Sequence, residues 1–164
     1  MGKTMDCFAK ELLAQYELDQ AMEIIHACER DENEYLSHVG AKLYGDVRKV
    51  FESLCDMGYE IGIVSNCQAG YIEVFLEATG LGHYFKAISV LAIPEGKADN
   101  IRTIIEQNHL QHAVYVGDTD GDYKATREAG IPFVHAAYGF GQTENPDYTI
   151  TSPMDLVTLF VPEN

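Results

Sequence analysis

A short apolar run that ends in a cluster of acidic residues constrains the fold of this chain more than any other feature. Residues 113–116 are typical of a buried strand, and the turn after Gly117 carries Asp118, Asp120 and Asp122. In an open α/β sheet the carboxyl ends of the strands border the crevice where ligands bind. Carboxylate oxygens there suit Mg²⁺. The run therefore predicts a parallel α/β sheet with a candidate magnesium site at a strand end.

Two other structures compete for the same acidic turn. An EF-hand loop would place the three aspartates at its first ligand positions, but it needs a glycine where Tyr123 stands and a glutamate where Ala129 stands. We therefore exclude the EF-hand. The plainer alternative is an Asx turn in which Asp120 or Asp122 caps the following helix. Taken alone, the turn favours capping, so a functional site needs support from other strand ends.

The composition limits the classes of partner. The chain has 164 residues, of which 46% are hydrophobic, and this suits one compact domain with a small helical appendage. Its 26 acidic and 11 basic residues give a formal charge of −15, which disfavours nucleic acid and anionic membranes as partners. The same charge repels phosphorylated ligands, so such a ligand would need a bound metal or a local cation. Lys97 is the candidate cation.

The cysteines and the N-terminal residues indicate a cytoplasmic location. The four cysteines are dispersed, with no Cys-x-x-Cys pair, so neither a zinc site nor a disulfide framework is predicted. The sequence has no apolar run long enough to span a membrane, and its first residues lack the apolar segment of a signal peptide.

Helical periodicity covers the first part of the chain. Residues 5–44 are predicted to be helical, with breaks near Leu18 and near Arg30, and a further helix follows from Gly45 to Gly58. Strands and helices then alternate, which predicts a doubly wound parallel sheet. The predicted strands are 59–64, 85–90, 113–116, 132–136 and 148–150, and the predicted helices are 69–79, 97–108, 120–129 and one capped by Ser152 with Pro153 at its first position.

Polar residues follow three of these strands in an order that suggests a phosphate and metal pocket. Ser65 and Asn66 follow the first strand, Lys97 opens the helix after the second, and Asp118 with Asp122 follows the third. A hydroxyl and helix N-terminal amides can donate to phosphate oxygens, a lysine can balance the phosphate charge, and acids can hold Mg²⁺. Each feature alone has a structural explanation, but their joint occurrence at strand ends favours a site.

The chain from about Gly45 to Gly141 resembles the haloacid dehalogenase superfamily, in particular its phosphoglycolate-phosphatase-like phosphohydrolases. Residues 61–66 are similar to the second motif of that family, residues 96–97 to the third and residues 117–122 to the fourth. The resemblance implies a Rossmann-like, doubly wound core. It divides the chain into a partial helical cap, residues 1–44, and an α/β core, residues 45–164.

The resemblance also implies roles for individual residues. Ser65, Asn66 and Lys97 would bind phosphate. Lys97 would in addition neutralise the nucleophile and the transferring phosphoryl group, and Asp118 would ligate Mg²⁺ directly. Asp122 would support the metal through the lysine or a metal-bound water, so that Lys97 and Asp122 form the catalytic pair of this chain.

One departure from the family affects both chemistry and architecture. The family begins with a strand ending in an Asp-x-Asp motif, whose first acid is the nucleophile and whose second is the general acid/base. The helical residues that open this sequence do not match that segment, and the only Asp-x-Asp-Gly run, residues 118–121, is similar to the fourth motif instead. The absent strand would lie at the centre of the sheet, between 59–64 and 113–116. We predict that these two strands pair directly, or that another chain or segment fills a gap of roughly 9–10 Å.

Three functions fit these features. The leading prediction is a Mg²⁺-dependent phosphomonoester hydrolase domain for a small phosphorylated metabolite, impaired as it stands because it lacks the nucleophile. A second prediction restores activity by strand complementation from another polypeptide. The third is a non-catalytic domain that binds Mg²⁺ and phosphate or a partner protein. Dimerisation through exposed residues of the cap, such as Leu12, Leu13 and Tyr16, is compatible with each of them.

Overall fold

Alternating helices and strands follow the N-terminal helices, as the sequence predicts. The computed structural model describes residues 5–65, 67, 70–90 and 96–161. The helices and strands are α1 (Met5–Leu12), α2 (Leu18–Val39), α3 (Val47–Asp56), β1 (Ile61–Ser65), α4 (Tyr71–Thr79), β2 (Phe85–Val90), α5 (Lys97–Gln107), β3 (Tyr115–Gly117), α6 (Asp120–Ala129), β4 (Phe133–Ala136), β5 (Tyr148–Ile150) and α7 (Asp155–Leu159).

Backbone contacts divide the chain into two units, each of which is discontinuous in sequence. The first contains residues 1–42 and 66–82, and the second contains residues 43–65 and 83–164. Helix α4 is therefore grouped with the N-terminal helices, although it follows β1 in sequence. The division into a helical cap, residues 1–44, and an α/β core, residues 45–164, stays a prediction.

The first unit is helical. Its small core contains Ala9 from α1 and Ala21 and Ile25 from α2. The predicted break near Leu18 is confirmed, because α2 begins there, but the predicted break near Arg30 is wrong because α2 continues to Val39. A charged pair without glycine or proline is a weak signal for a helix end, and the buried face of α2 continues past it.

The second unit contains all five described strands, which form two parallel sheets with orders β1-β2 and β3-β4-β5. This confirms the predicted α/β class. Helices α3 and α7 pack on β4 and β5 through a buried apolar cluster. Its buried members are Val50, Leu54, Val134, Ala136, Ile150 and Leu156. No described helix is long and apolar enough to cross a membrane.

Two local predictions are corrected. Among the described residues, β1 and β3 do not pair, so the first of the two predicted alternatives, direct pairing, is wrong, and the second, a gap filled by another chain or segment, stays a prediction. The predicted cap of the last helix is also wrong. Helix α7 begins at Asp155 rather than Pro153, and the Asp155 carboxylate accepts hydrogen bonds from the amides and hydroxyls of Thr151 and Ser152. Met154 is the N-cap residue of α7, and Ser152 donates to the carboxylate of the first helical residue.

Candidate functional site

A buried ion pair joins the ends of two elements that the sequence places far apart. Lys97 is the first residue of α5, and its Nζ lies 2.5 Å from Oδ1 of Asp122 in the first turn of α6. The two side chains are only 14% and 8% exposed. The lysine also lies 5.9 Å from the centroid of the Tyr115 ring. The structure therefore brings together the two residues predicted to be catalytic.

The second carboxylate oxygen of Asp122 is hydrogen-bonded to Thr119, the N-cap residue of α6. Its Oδ2 accepts hydrogen bonds from the backbone amide and the hydroxyl of Thr119, while the Asp122 amide donates to that hydroxyl at 3.1 Å. Burial alone would raise the pKa of Asp122, but the Lys97 ammonium and the Thr119 hydrogen bonds outweigh it and hold this pKa below its ordinary value. Asp122 is therefore a carboxylate with both oxygens occupied by protein donors.

Asp118 is surrounded by the loop after β4. Its Oδ2 accepts a hydrogen bond of 2.7 Å from the Phe140 amide. A Cβ on Gly139 would overlap the Asp118 side chain, and a Cβ on Gly141 would overlap the Asp118 carbonyl oxygen. The glycines of this loop allow its backbone to approach the acid closely. The predictions from sequence included Asp118 but missed these positioning residues, because their contacts span about twenty positions in the chain.

Gly117 and Tyr115 shape the end of β3. A Cβ on Gly117 would lie 2.7 Å from the Cβ of Asp122, so the glycine before the acidic turn makes room for the acid of the ion pair. The Tyr115 hydroxyl donates a 3.0 Å hydrogen bond to the Val64 carbonyl of β1. Burial, followed by the negative charge of Asp122, raises the pKa of Tyr115. The tyrosine therefore remains a neutral hydrogen-bond donor across the physiological pH range.

The predicted phosphate-binding residues are described only in part. Ser65 is the last residue of β1, next to Val64. Asn66 lies outside the residues that the structure describes. Asn100, one turn after Lys97, is fully buried, and neither polar atom of its amide has a partner within the described part of the chain. Sequence reasoning missed Asn100, because an asparagine in the first turns of a helix is commonly exposed.

The donor set fits part of a magnesium site. Mg²⁺ in phosphoryl-transfer enzymes is commonly held by one or two carboxylates, with water and substrate phosphate completing the octahedron. Asp118 fits the role of one such carboxylate, whereas Asp122 is occupied by Lys97 and Thr119. No group of three or more His, Cys, Asp or Glu side chains within the described residues could hold a metal. Asp118 thus offers one carboxylate that suits Mg²⁺, and the described residues form no complete cage.

Comparison with known proteins establishes the family. The sequence model of the family "Haloacid dehalogenase-like hydrolase" matches residues 1–136 of this chain. The chain belongs to this family. Among solved structures, a haloacid dehalogenase-like family hydrolase from Streptococcus pneumoniae superposes with a TM-score of 0.81 at 24% identity, over 98% of this chain and 78% of that one. A predicted phosphatase from Clostridium acetobutylicum gives a TM-score of 0.77 at 22% identity, over 96% of this chain and 77% of that one. At these identities the structural matches show the fold.

Curated relatives of this haloacid dehalogenase-like chain are phosphoglycolate phosphatases. The protein from Vibrio parahaemolyticus is 27% identical over 132 residues, which cover 73% of this chain and 57% of the relative. The protein from Aquifex aeolicus is 27% identical over 128 residues, covering 74% of this chain and 60% of the relative. The aligned part of the chain therefore spans less than two thirds of the length of either relative.

Proposed function

We propose that this chain carries the phosphate- and magnesium-binding part of a phosphomonoester hydrolase for a small phosphorylated metabolite. The observation that carries the proposal is the buried Lys97–Asp122 pair at the start of α5 and α6, with Asp118 in the turn that leads into α6. The family membership and the names of the curated relatives support a phosphatase. Those names also make phosphoglycolate the first substrate to test.

Each site residue has a role that follows from its contacts. The ammonium of Lys97 has three N–H donors and uses one on Asp122, so others remain for phosphate oxygens. Asp118 would hold Mg²⁺, which when bound would neutralise charge on the phosphate. Ser65 and Asn66 would supply further donors. These positive and polar groups would offset the repulsion between an anionic substrate and a chain with a net charge of −15.

We expect these 164 residues to bind phosphate without fast turnover. Their one Asp-x-Asp-Gly run, residues 118–121, is similar to the fourth motif of the family, so no acid of the sequence is assigned as nucleophile or as general acid. The same observation favours a second candidate function, a domain that binds Mg²⁺ and phosphate without catalysis. Addition of a separate polypeptide that carries the nucleophile and the general acid distinguishes the two functions. It would restore turnover if the chain is part of a hydrolase, and it would not if the chain is a binding domain. A cytoplasmic location remains a prediction from the dispersed cysteines.

The test compares thermal unfolding with and without MgCl₂ and inorganic phosphate in three proteins. These are the wild type, Asp118→Asn and the matched control Asp120→Asn. Asp120 belongs to the same acidic turn, but it is exposed and pairs with Lys124 on the surface of α6. A ligand at a hundred times its Kd stabilises a protein by about 2.7 kcal/mol. We expect the ligand-dependent increase in Tm in the wild type and in Asp120→Asn, and its loss in Asp118→Asn.

Equal increases in all three proteins would contradict a site at Asp118. Hydrolysis of phosphoglycolate and of an aryl phosphate is measured in parallel. Turnover that Asp118→Asn abolishes would show that the chain has another nucleophile and would refute the expected impairment. Turnover that survives the substitution would indicate a contaminating phosphatase.

A further inference from the structure

His135 is a buried polar side chain close to the candidate metal ligand, and the proposed function gives it no role. It lies on β4 and is only 7% exposed. In the register of β3 with β4 it pairs with Gly117, the residue directly before Asp118. Buried polar side chains are found mostly where they have a hydrogen-bond partner. The partner of His135 therefore indicates what this side chain does.

The imidazole of His135 contacts the loop after β4, residues 137–141. Its Nε2 lies 3.4 Å from the carbonyl oxygen of Gly141. A carbonyl oxygen only accepts hydrogen bonds, so Nε2 carries a proton and is the donor. The ring also lies nearly parallel to that of the buried Phe133, at 21° and with 6.4 Å between the ring centroids. The imidazole is thus in contact with both its own strand and the loop.

The loop is attached at both ends, and its hydrogen bond to Asp118 lies between the two attachments. At the first end the Gly139 amide donates to a carbonyl of β4 at 2.9 Å. At the second end the Gly141 carbonyl accepts from His135. Between them the Phe140 amide donates to Oδ2 of Asp118 at 2.7 Å. The position of this amide therefore depends on both attachments.

The second end of the loop is also packed against the acidic turn. A Cβ on Gly141 would lie 2.4 Å from the carbonyl oxygen of Asp118 and 3.0 Å from the Cα of Thr119. Only a glycine allows two backbones to approach this closely. Because close-packed atoms leave little free space, a shift of Gly141 would move the neighbouring Phe140 amide relative to Asp118.

The loop determines which oxygen of Asp118 is available to a metal ion. Oδ2 accepts the hydrogen bond from Phe140, whereas no hydrogen bond or ion pair of the described residues engages Oδ1. Carboxylates that bind metals are commonly oriented by a hydrogen bond of this kind. Oδ1 is therefore the oxygen that suits Mg²⁺.

We propose that His135 is a positioning residue for this magnesium ligand. It holds the Gly141 carbonyl, and thereby the Phe140 amide, so that Asp118 presents Oδ1 to Mg²⁺. The inference rests on the magnesium site of the proposed function. It requires only a proton on Nε2, which the imidazolium and one neutral tautomer both carry. His135 therefore acts without a change in its charge.

The test compares His135→Gln with His135→Leu in the full chain. Both substitutions remove the ring, but the glutamine keeps an N–H donor and the leucine has none. MgCl₂ is titrated at a fixed concentration of inorganic phosphate, and the increase in Tm gives the Kd for Mg²⁺. Loss of a group that orients a metal ligand typically lowers metal affinity by roughly 10–100-fold. Because the contact of His135 is long for a hydrogen bond, we expect about a tenfold loss for His135→Leu and a Kd near that of the wild type for His135→Gln.

Hydrogen exchange of the Phe140 amide, measured by NMR without Mg²⁺, tests the positioning by itself. The bond to Asp118 protects this amide, so we expect faster exchange in His135→Leu than in His135→Gln. The Gly139 amide is the internal control, because its bond to β4 does not involve His135. A general loss of stability would accelerate the exchange of both amides, whereas a loss of positioning accelerates that of Phe140 alone.

Two results would overturn the proposal, namely an equal Kd for Mg²⁺ in the two variants and equal exchange of the Phe140 amide in them. If His135→Leu does not fold by circular dichroism, nitrogen NMR of the wild-type imidazole decides. A proton on Nε2 supports the bond to Gly141, and a proton on Nδ1 alone refutes it. A wild type whose Tm does not respond to MgCl₂ would refute the proposed function, and the exchange comparison would then decide whether His135 positions Asp118.

Discussion

Replacement of Lys97 by methionine tests whether the buried ion pair stabilises the fold. The substitution Lys97→Met keeps a long apolar side chain but leaves the Asp122 carboxylate buried without its cation. Removing one partner of a buried pair costs about 3–5 kcal/mol. Both Thr119 hydrogen bonds to Oδ2 remain, so we expect a loss near the lower end, about 3 kcal/mol. In a domain of this size that corresponds to a decrease in Tm of roughly 6–12 °C.

The pH dependence of this loss separates electrostatics from packing. In the wild type the pKa of Asp122 is depressed below 3.8, so its contribution is complete above that value and is lost as the pH falls through the folded pKa. Without Lys97, burial is no longer offset by the ammonium, so the pKa of Asp122 is higher than in the wild type, and the variant is penalised only where the carboxylate is ionised. The difference in unfolding free energy between wild type and variant should therefore decrease from pH 7 to pH 5.

The assay is urea unfolding followed by circular dichroism at both pH values, with Lys124→Met as the matched control. Lys124 pairs with Asp120 on the surface, where the side chains are 74% and 53% exposed. An exposed pair contributes about 0–1 kcal/mol. We therefore expect the control to be close to wild type at both pH values. A loss below about 1 kcal/mol for Lys97→Met, or a loss that does not change with pH, would refute the reasoning.

Three further predictions concern positions that sequence reasoning missed. Gly139→Ala places a Cβ against the Asp118 side chain and should cost about 1–3 kcal/mol in urea unfolding, whereas unchanged stability would mean that the loop moves freely. Asn100→Leu removes a buried amide without partners among the described residues, so stability should stay equal or increase, and a large loss would reveal a partner for that amide. The pKa of Asp155, lowered by hydrogen bonds from Thr151 and Ser152 to about 2, means that its contribution is complete above about pH 4. The stability difference between wild type and Asp155→Asn should therefore vanish as the pH falls towards 2 in acid unfolding, and a difference that persists there would contradict the assigned cause.

The order of the elements could be predicted because each carries its own local pattern. The glycine at position 80 ends α4 with a left-handed φ of 67°, and the buried residues Val50 and Leu54 of α3 follow the predicted helical spacing. The pairing of Lys97 with Asp122 was implied by the family resemblance and is present in the structure. Such features depend on neighbours within one or two turns, or on a motif order shared with relatives.

The remaining features depend on contacts that no local pattern records. The approach of the loop at Gly139 to Asp118 depends on the pairing of β3 with β4, and the Tyr115–Val64 bond joins residues from different sheets. The predicted direct pairing of β1 and β3 failed for a related reason. Ile61 of β1 packs on the cluster of α3, α7 and β4, and Val64 packs with Tyr115 against α5 and α6, so helix contacts that no local pattern predicts position β1.

Asp122 has consequences for how this chain could evolve. The same carboxylate completes the capping box of α6, neutralises the buried ammonium of Lys97 and fills the space that Gly117 leaves open. A descendant that no longer needed the site for chemistry would still be selected to keep all three residues, because their loss would unfold the junction of α5 and α6. The presence of these three residues in a descendant would therefore not by itself show that the descendant is catalytic, because folding alone selects for them.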